Sequence, residues 1–139
     1  MICNLDTSII IEFLRSNKLV TKKFLSAEED GNDLAICSVA YYEIMRGFDK
    51  MKPSRKQRIF EQFYSATKHF FLDDKAAEIA AEIYRYLSKR GMKIEDDDIF
   101  IAAMTLANDA ILITDNVKHF ERVPNLKVVN WKDLTALNQ

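Results

Sequence analysis

Three acidic residues stand beside apolar segments, where strands or helices are expected to begin or end. They are Asp6 in N-L-D-T-S, Glu43 in Y-Y-E-I-M-R-G and Asp98 in D-I-F-I-A-A. A fold that gathers three carboxylates into one pocket raises their pKa values, because like charges at short range repel each other. Mg²⁺ or Mn²⁺, which prefer oxygen ligands, would remove that repulsion. The pattern therefore predicts a metal-dependent hydrolase or phosphodiesterase.

A fourth polar position, T-D-N at 114–116, directly follows the apolar run at 110–113. Ligand sites of open parallel sheets lie at the carboxyl ends of the strands, where the strand order reverses. Asp6 is expected to end the first strand and Glu43 to follow the second. Asp98 heads a helix that can point into the same crevice, so one rim can hold all of them.

Each acid also has a structural explanation when it is taken alone. Asp6 is suited to cap a helix, and Glu43 or Asp98 in a first helical turn favours the helix dipole. The recurrence of an acid after a buried strand or at a core-facing helix start is more specific than any single residue. The constellation therefore carries the prediction.

Alternating strands and helices predict the fold class. Strands are expected over 2–5, 34–39, 69–72, 110–113 and 126–129. Helices are expected over 9–15, 19–29, 54–67, 73–90 and 99–107. Thr7 or Ser8 is expected to cap the first of these, and Pro53 to precede the third. A further helix is expected to start near Ala40 and to carry Glu43 in its first turn. The helix over 73–90 is expected to bury Ala77, Ala80, Ala81, Ile83, Tyr84 and Leu87. The pattern indicates a three-layer α/β/α domain over residues 1–139 with a central, mainly parallel sheet.

Composition adds little about partners. The net charge of −1 does not favour nucleic acid by itself. One basic cluster, defined by Lys50, Lys52, Arg55, Lys56 and Arg58, is either a solvated helix face or a phosphate contact. With no apolar run near the roughly 20 residues that cross a bilayer and no leader pattern, we expect a cytoplasmic protein without a membrane anchor.

Other chemistries fit the sequence poorly. Neither a G-x-x-x-x-G-K loop nor a G-x-G-x-x-G turn occurs. Cys3 and Cys37 are expected to be reduced core thiols; a disulfide, a metal pair or a catalytic thiol is the alternative. His69 and His119 are isolated in the sequence, which favours structural or exposed roles for both.

The chain resembles the PIN-domain nucleases and, among them, the VapC-type toxins of bacterial toxin–antitoxin pairs. The resemblance lies in L-D-T-S at 5–8, Y-E-I-M-R-G at 42–47, D-I-F-I-A-A at 98–103 and the block from T-D-N to V-V-N-W at 114–131. It implies that Asp6, Glu43 and Asp98 bind Mg²⁺ or Mn²⁺. The family's fourth site corresponds to the neutral Asn116, with Asp115 beside it, which leaves one or two metals open.

The resemblance implies further roles. Thr7, Ser8 and Thr114 match positions that orient ligands or water. Arg46 matches a position near the site. It could contact a substrate phosphate or the antitoxin, and the alternative is an ion pair with Glu43 or Asp6.

The implied activity is endoribonuclease cleavage of a structured RNA such as tRNA or rRNA. A cognate antitoxin would neutralise it, and the protein would form a homodimer. The alternatives are an RNA-processing nuclease of the same fold without an antitoxin, a catalytically weak module that binds RNA or protein, and a small-molecule phosphatase.

Overall fold

A parallel sheet forms the centre of the protein. The structure is a computed structural model, and it describes residues 1–132, so residues 133–139 of the predicted domain lie outside the described part. The strands are β1 (Ile2–Leu5), β2 (Asp33–Cys37), β3 (Lys68–Phe70), β4 (Ile111–Ile113) and β5 (Val128–Val129). Their order is β3-β2-β1-β4-β5, and all adjacent pairs are parallel.

Helices connect successive strands. They are α1 (Thr7–Leu14), α2 (Lys18–Glu29), α3 (Ser38–Met45), α4 (Arg55–Ser65), α5 (Asp74–Lys89), α6 (Asp96–Ala107) and α7 (Val117–Phe120). The chain moves outward from β1 to β3 and then returns to place β4 on the other side of β1. Because parallel crossovers are right-handed, α1–α4 cover one face of the sheet and α5 and α6 cover the other. The predicted three-layer arrangement is confirmed, and the strand order reverses at β1.

The core lies between the sheet and these helices. Leu5, Ile36 and Leu112 of the three central strands are buried. The alanines of α6, Ala102 and Ala103, are also buried, and their small side chains let α6 approach the sheet closely. Cys3 and Cys37 are free and buried, as predicted, and burial raises the pKa of the Cys37 thiol to about 11. Within residues 1–132, no helix has both the length and the apolar character that crossing a membrane requires.

The predicted boundary between β2 and α3 is wrong. The strand ends at Cys37 instead of residue 39, and α3 begins at Ser38. Glu43 therefore lies in the second turn of α3 and not in the first. The apolar run continues from the strand into the buried start of the helix, at Ala40, so hydrophobicity does not mark where one ends and the other begins.

Two predicted helix starts also need correction. Asp6, which the sequence also allowed as a helix cap, is the N-cap of α1 in place of Thr7 or Ser8, and its side chain accepts a hydrogen bond from the backbone N–H of Thr7. Pro53 lies outside α4, because Ser54 is the N-cap and accepts a hydrogen bond from the backbone of Gln57. An acceptor side chain one residue before the helix satisfies the free N–H groups in both cases.

The buried side of α5 is narrower than predicted. Ala76, Ala80, Ile83 and Leu87 are buried, whereas Ala77, Ala81 and Tyr84 are exposed. The buried positions repeat every three or four residues along one stripe, and alanines on both sides of the stripe blur its edges in the sequence.

A buried polar contact joins β1 to α6. Asn4 Nδ2 donates to Thr105 Oγ1 at 2.8 Å, and both residues are fully buried. Thr105 Oγ1 in turn donates to the carbonyl oxygen of Ile101 at 2.7 Å. The contact fixes the position of α6, and therefore of Asp98 in its first turn, relative to the strand that ends at Asp6.

We predict that Thr105→Val lowers the free energy of unfolding by about 1–3 kcal/mol, because the buried amide of Asn4 loses its acceptor. Chemical denaturation measures the loss. Thr21→Val is the matched control, since Thr21 makes the same side chain-to-carbonyl contact in α2 but is partly exposed. Equal denaturation midpoints for Thr105→Val and the wild-type protein would contradict the prediction.

Candidate active site

Asp6 lies at the carboxyl end of β1, where the strand order reverses, and is only 6% exposed. Its Oδ1 accepts from the backbone N–H of Thr7 at 2.8 Å. Its Oδ2 accepts from Thr114 Oγ1 at 2.6 Å and from Ser8 Oγ at 3.3 Å. Burial raises the pKa of Asp6, the charge of Asp98 adds to the rise, and the three hydrogen bonds oppose it.

Glu43 reaches the same region from α3, with its side chain 19% exposed. Its Oε1 accepts from Thr7 Oγ1 at 2.9 Å, and Arg46 Nη2 lies 3.8 Å from its Oε2. Burial again raises the pKa most, and the charges of Asp97 and Asp6 raise it further. Thr7 therefore connects both carboxylates, through its backbone to Asp6 and through its hydroxyl to Glu43.

Asp98 lies in the first turn of α6, and its side chain is 23% exposed. His119 Nδ1 is 3.1 Å from Asp98 Oδ2. Burial raises the pKa of Asp98, and the charges of Glu43 and Asp97 raise it further, although His119 opposes them. The carboxylate is thus held between acidic neighbours and one imidazole ring.

His119 is the residue that sequence reasoning missed. Its Nδ1 also lies 3.0 Å from Nδ2 of Asn116, the N-cap of α7. The ring therefore joins the loop after β4 to Asp98 on α6, a contact that the isolated place of His119 in the sequence did not reveal. The available signal was the N-x-x-H spacing at a helix start, which places the third helical residue beside the N-cap.

Asp115 and Asn116 are oriented differently. The carboxylate of Asp115 is 3.3 Å from Lys132 Nζ, which also lies 3.6 Å from Glu12 Oε1. The backbone N–H of Asn116 donates to Thr114 Oγ1 at 3.0 Å, and its amide contacts His119. Asn116 is therefore linked to both Asp6 and Asp98 through one intermediate residue each, while Asp115 is paired with a lysine.

The carboxylates raise one another's pKa values, yet each is held by its own partners. Thr114 and Ser8 contact Asp6, Thr7 contacts Glu43, and His119 contacts Asp98. As the side chains stand, no three His, Cys, Asp or Glu residues among 1–132 lie close enough together to hold a metal ion. The donor chemistry, carboxylate oxygens that repel one another, nevertheless fits a hard divalent cation such as Mg²⁺ or Mn²⁺.

A groove of about 680 Å³ opens beside these residues. Its acidic part is lined by Glu43, Glu95, Asp96, Asp97 and Asp98, with His119 at the edge. Asp6 is not part of the lining; its carboxylate is buried and accepts hydrogen bonds from Ser8 and Thr114. Clustered carboxylates of this kind repel an anionic ligand unless cations accompany it.

Comparison with known sequences identifies relatives over most of the chain. A model of the PIN domain matches residues 4–126. Ribonuclease VapC1 from Methanocaldococcus jannaschii is 32% identical over 118 residues, which cover 85% of this chain and 78% of that protein. Ribonuclease VapC2 from Rickettsia felis is 30% identical over 132 residues, which cover 94% of this chain and 98% of that protein.

Solved structures share the fold. A chain of VapBC2 from Rickettsia felis, bound to a DNA fragment from their promoter, matches with a TM-score of 0.84 and 27% identity, covering 94% of this chain and 99% of that chain. A chain of VapBC-1 from nontypeable Haemophilus influenzae matches with a TM-score of 0.81 and 27% identity, covering 96% and 100%. The predicted PIN-like α/β/α fold is confirmed.

We predict that Glu43→Gln raises the free energy of unfolding at pH 7 without added metal. A raised pKa in the folded state means that ionised Glu43 destabilises the fold, so wild-type stability falls as the pH rises from the ordinary value of 4.5 through the raised pKa. The difference in unfolding free energy between Glu43→Gln and the wild-type protein should therefore shrink as the pH falls toward 4.5. Glutamine can still accept from Thr7.

Thermal denaturation in EDTA across this pH range measures the effect. Glu82→Gln, at an exposed position on α5, controls for the substitution itself. A Glu43→Gln protein that is less stable than wild type at pH 7 would show that the ionised Glu43 does not destabilise the fold.

Proposed function

This chain belongs to the PIN-domain family, and within it to the VapC-type proteins, and from that premise we propose that it is a metal-dependent endoribonuclease toxin neutralised by a cognate antitoxin. The observation that carries the proposal is the arrangement of three acids from separate elements: Thr7 is hydrogen-bonded to both Asp6 and Glu43, and Glu43 lines the same groove as Asp98. Relatives at about 30% identity are named ribonucleases, which supports RNA as the substrate.

Asp6, Glu43 and Asp98 would hold Mg²⁺ or Mn²⁺. When bound, such a cation makes water a better nucleophile by lowering its pKa and stabilises the negative charge that develops during phosphodiester hydrolysis. The acidity of the groove supports the metal requirement, since an RNA phosphate would otherwise enter a field of negative charge.

The surrounding residues orient the carboxylates. Ser8 and Thr114 hold Asp6, and Thr7 holds Glu43, so each ligand oxygen has a fixed direction before the substrate arrives. Second contacts of this kind tune the affinity of a metal site. Asn116, which His119 links to Asp98, offers a neutral amide where the family places a fourth polar ligand. The neutral amide favours one firmly held cation over two, and Asp115 is kept from the site by Lys132.

Arg46 and the basic cluster are suited to phosphates of the RNA. The side chain of Arg46 is 56% exposed, makes a long contact to Glu43 and lies over the ring of Tyr42, 5.3 Å from its centre. All five members of the basic cluster are exposed, and none forms an ion pair among residues 1–132. Cations spread beyond the groove suit a structured RNA such as tRNA or rRNA, whose phosphates extend past the cleaved bond.

The solved relatives are complexes named VapBC, which supports an antitoxin as the protein partner. An antitoxin segment seated in the acidic groove would block Glu43 and Asp98, and the exposed Arg46, 3.8 Å from Glu43, would be available to contact it. We further propose that the protein works in the cytoplasm as a homodimer.

We predict that the purified protein cuts total cellular RNA into discrete products with Mg²⁺ or Mn²⁺ and not with EDTA. Asp98→Asn should lower the cleavage rate at least ~100-fold, because a lost ligand removes several kcal/mol of transition-state stabilisation. Gel analysis and sequencing of the product ends measure the rate and identify the RNA.

Asp96→Asn is the matched control, since Asp96 lies in the same helical turn and lines the same groove. Its rate should stay within about threefold of wild type, because only the third aspartate of the run contacts His119. Equal cleavage by wild type and Asp98→Asn would reveal a contaminating nuclease. Absence of metal-dependent cleavage would favour a module that binds RNA or protein without cutting.

We also predict that a small protein encoded beside this chain abolishes cleavage when it is added at an equimolar amount. Inhibition should vanish when that protein is heat-denatured. Cleavage that continues at full rate in the presence of every neighbouring gene product would favour an RNA-processing nuclease without an antitoxin.

A further inference from the structure

The groove beside the carboxylates has a second, apolar part. Tyr84, Met92 and Ile94 line the same groove as the acidic residues. Tyr84 is 58% exposed, although it was expected on the buried side of α5. A large aromatic ring is therefore presented to solvent in the same cavity as the candidate catalytic residues.

The end of α5 builds this wall. Gly91 adopts a left-handed conformation, with φ of 65°, directly after the helix. Its N–H donates to the carbonyl of Ser88 at 3.2 Å, and the N–H of Met92 donates to the carbonyl of Leu87 at 2.9 Å. These two bonds form a Schellman motif, which requires a residue that tolerates positive φ at this point. The motif reverses the chain and brings Met92 beside the helix end that carries Tyr84.

The loop that follows is tied to the rest of the site. Arg122 Nη1 donates to the carbonyl oxygen of Lys93 at 3.4 Å, which connects the loop to the segment after α7. Lys93 itself lines the groove and forms no ion pair among residues 1–132. The wall therefore combines an exposed ring, two apolar side chains and one cation in a fixed arrangement.

We propose that Tyr84 stacks on a nucleobase of the RNA substrate, adjacent to the phosphate held at the acidic part. The proposal rests on the proposed function. A nucleotide, like the groove lining, combines a charged part and an apolar part, which are its phosphate and the face of its base. Unpaired RNA bases are commonly recognised by stacking on tyrosine, phenylalanine or tryptophan.

The size of the groove fits this occupant. Its volume of about 680 Å³ falls within the roughly 300–1,000 Å³ of typical small-molecule sites. A cation and one phosphate group would fill only the acidic part, and a sugar and base are the next groups along the chain. Lys93 would then lie beside a flanking phosphate.

Three substitutions at Tyr84 separate stacking from simple packing. Tyr84→Phe keeps the ring, Tyr84→Leu keeps apolar bulk without it, and Tyr84→Ala removes both. Stacking on an aromatic side chain is worth roughly 5- to 150-fold in affinity. Tyr84→Leu and Tyr84→Ala should therefore raise KM at least fivefold with little change in kcat. The KM of Tyr84→Phe should stay close to that of the wild-type protein. Phe71→Ala, an exposed aromatic residue that does not line the groove, is the matched control.

Binding measured without cleavage tests the base directly. In the Asp98→Asn background, fluorescence anisotropy compares octaadenylate with an octamer of the same sugars and phosphates that lacks every base. We expect octaadenylate to bind at least fivefold more tightly, and Tyr84→Ala to remove that difference without weakening the abasic octamer.

Each result decides the proposal. Equal binding of the two octamers, or a base preference unchanged in Tyr84→Ala, overturns it. A Tyr84→Ala protein that elutes as a smaller species in light scattering, with binding lost for both octamers, also overturns it and makes Tyr84 a contact between copies of the chain. If wild type binds bases through Tyr84 but cuts no RNA, the proposed function fails and the stacking site stands.

Discussion

The burial and mutual repulsion of three carboxylates are the constraint on which the site depends. Asp6 follows β1, and Glu43 and Asp98 lie on α3 and α6. Burial is the largest cause of their raised pKa values, because a charged group loses hydration in the protein interior, and the charge of each carboxylate raises the pKa of another. The fold tolerates the repulsion because β1 lies at the centre of the sheet, bonded on both sides, and the backbone N–H of Asp6 donates to Ile113 of β4 at 2.9 Å.

Neighbouring side chains hydrogen-bond to the carboxylates or pair with them and so fix their orientation. Thr7 is the clearest example, since its backbone serves Asp6 and its hydroxyl serves Glu43. His119 contacts Asp98 in a comparable way, at 3.1 Å. In the proposed function, a bound cation would replace the repulsion among these carboxylates with attraction, and their existing hydrogen-bond partners would lower the cost of orienting them.

Much of the layout follows from the sequence, and the failures have identifiable causes. Apolar runs located every strand, and Asp6, Glu43 and Asp98 were selected by their places beside apolar segments. The start of α3 was misplaced because Ala40 continues the apolar run of β2. The contact of His119 with Asp98 was not foreseen, and Tyr84 was wrongly placed on the buried side of α5, because both depend on contacts between α7, α6 and the loop after α5. Such contacts are set by tertiary packing, which local hydrophobic patterns do not encode.

Binding of Mn²⁺, followed by electron paramagnetic resonance, reports on the carboxylates without an RNA substrate. We predict that the wild-type protein binds the ion at pH 7, and that the affinity falls as the pH is lowered, because protons compete for carboxylates whose pKa values are raised. Replacing Asp6, Glu43 and Asp98 together by their amides should abolish that binding. Equal affinity in the triple variant, or affinity that does not change with pH, would contradict the claim that these three residues form one cation site.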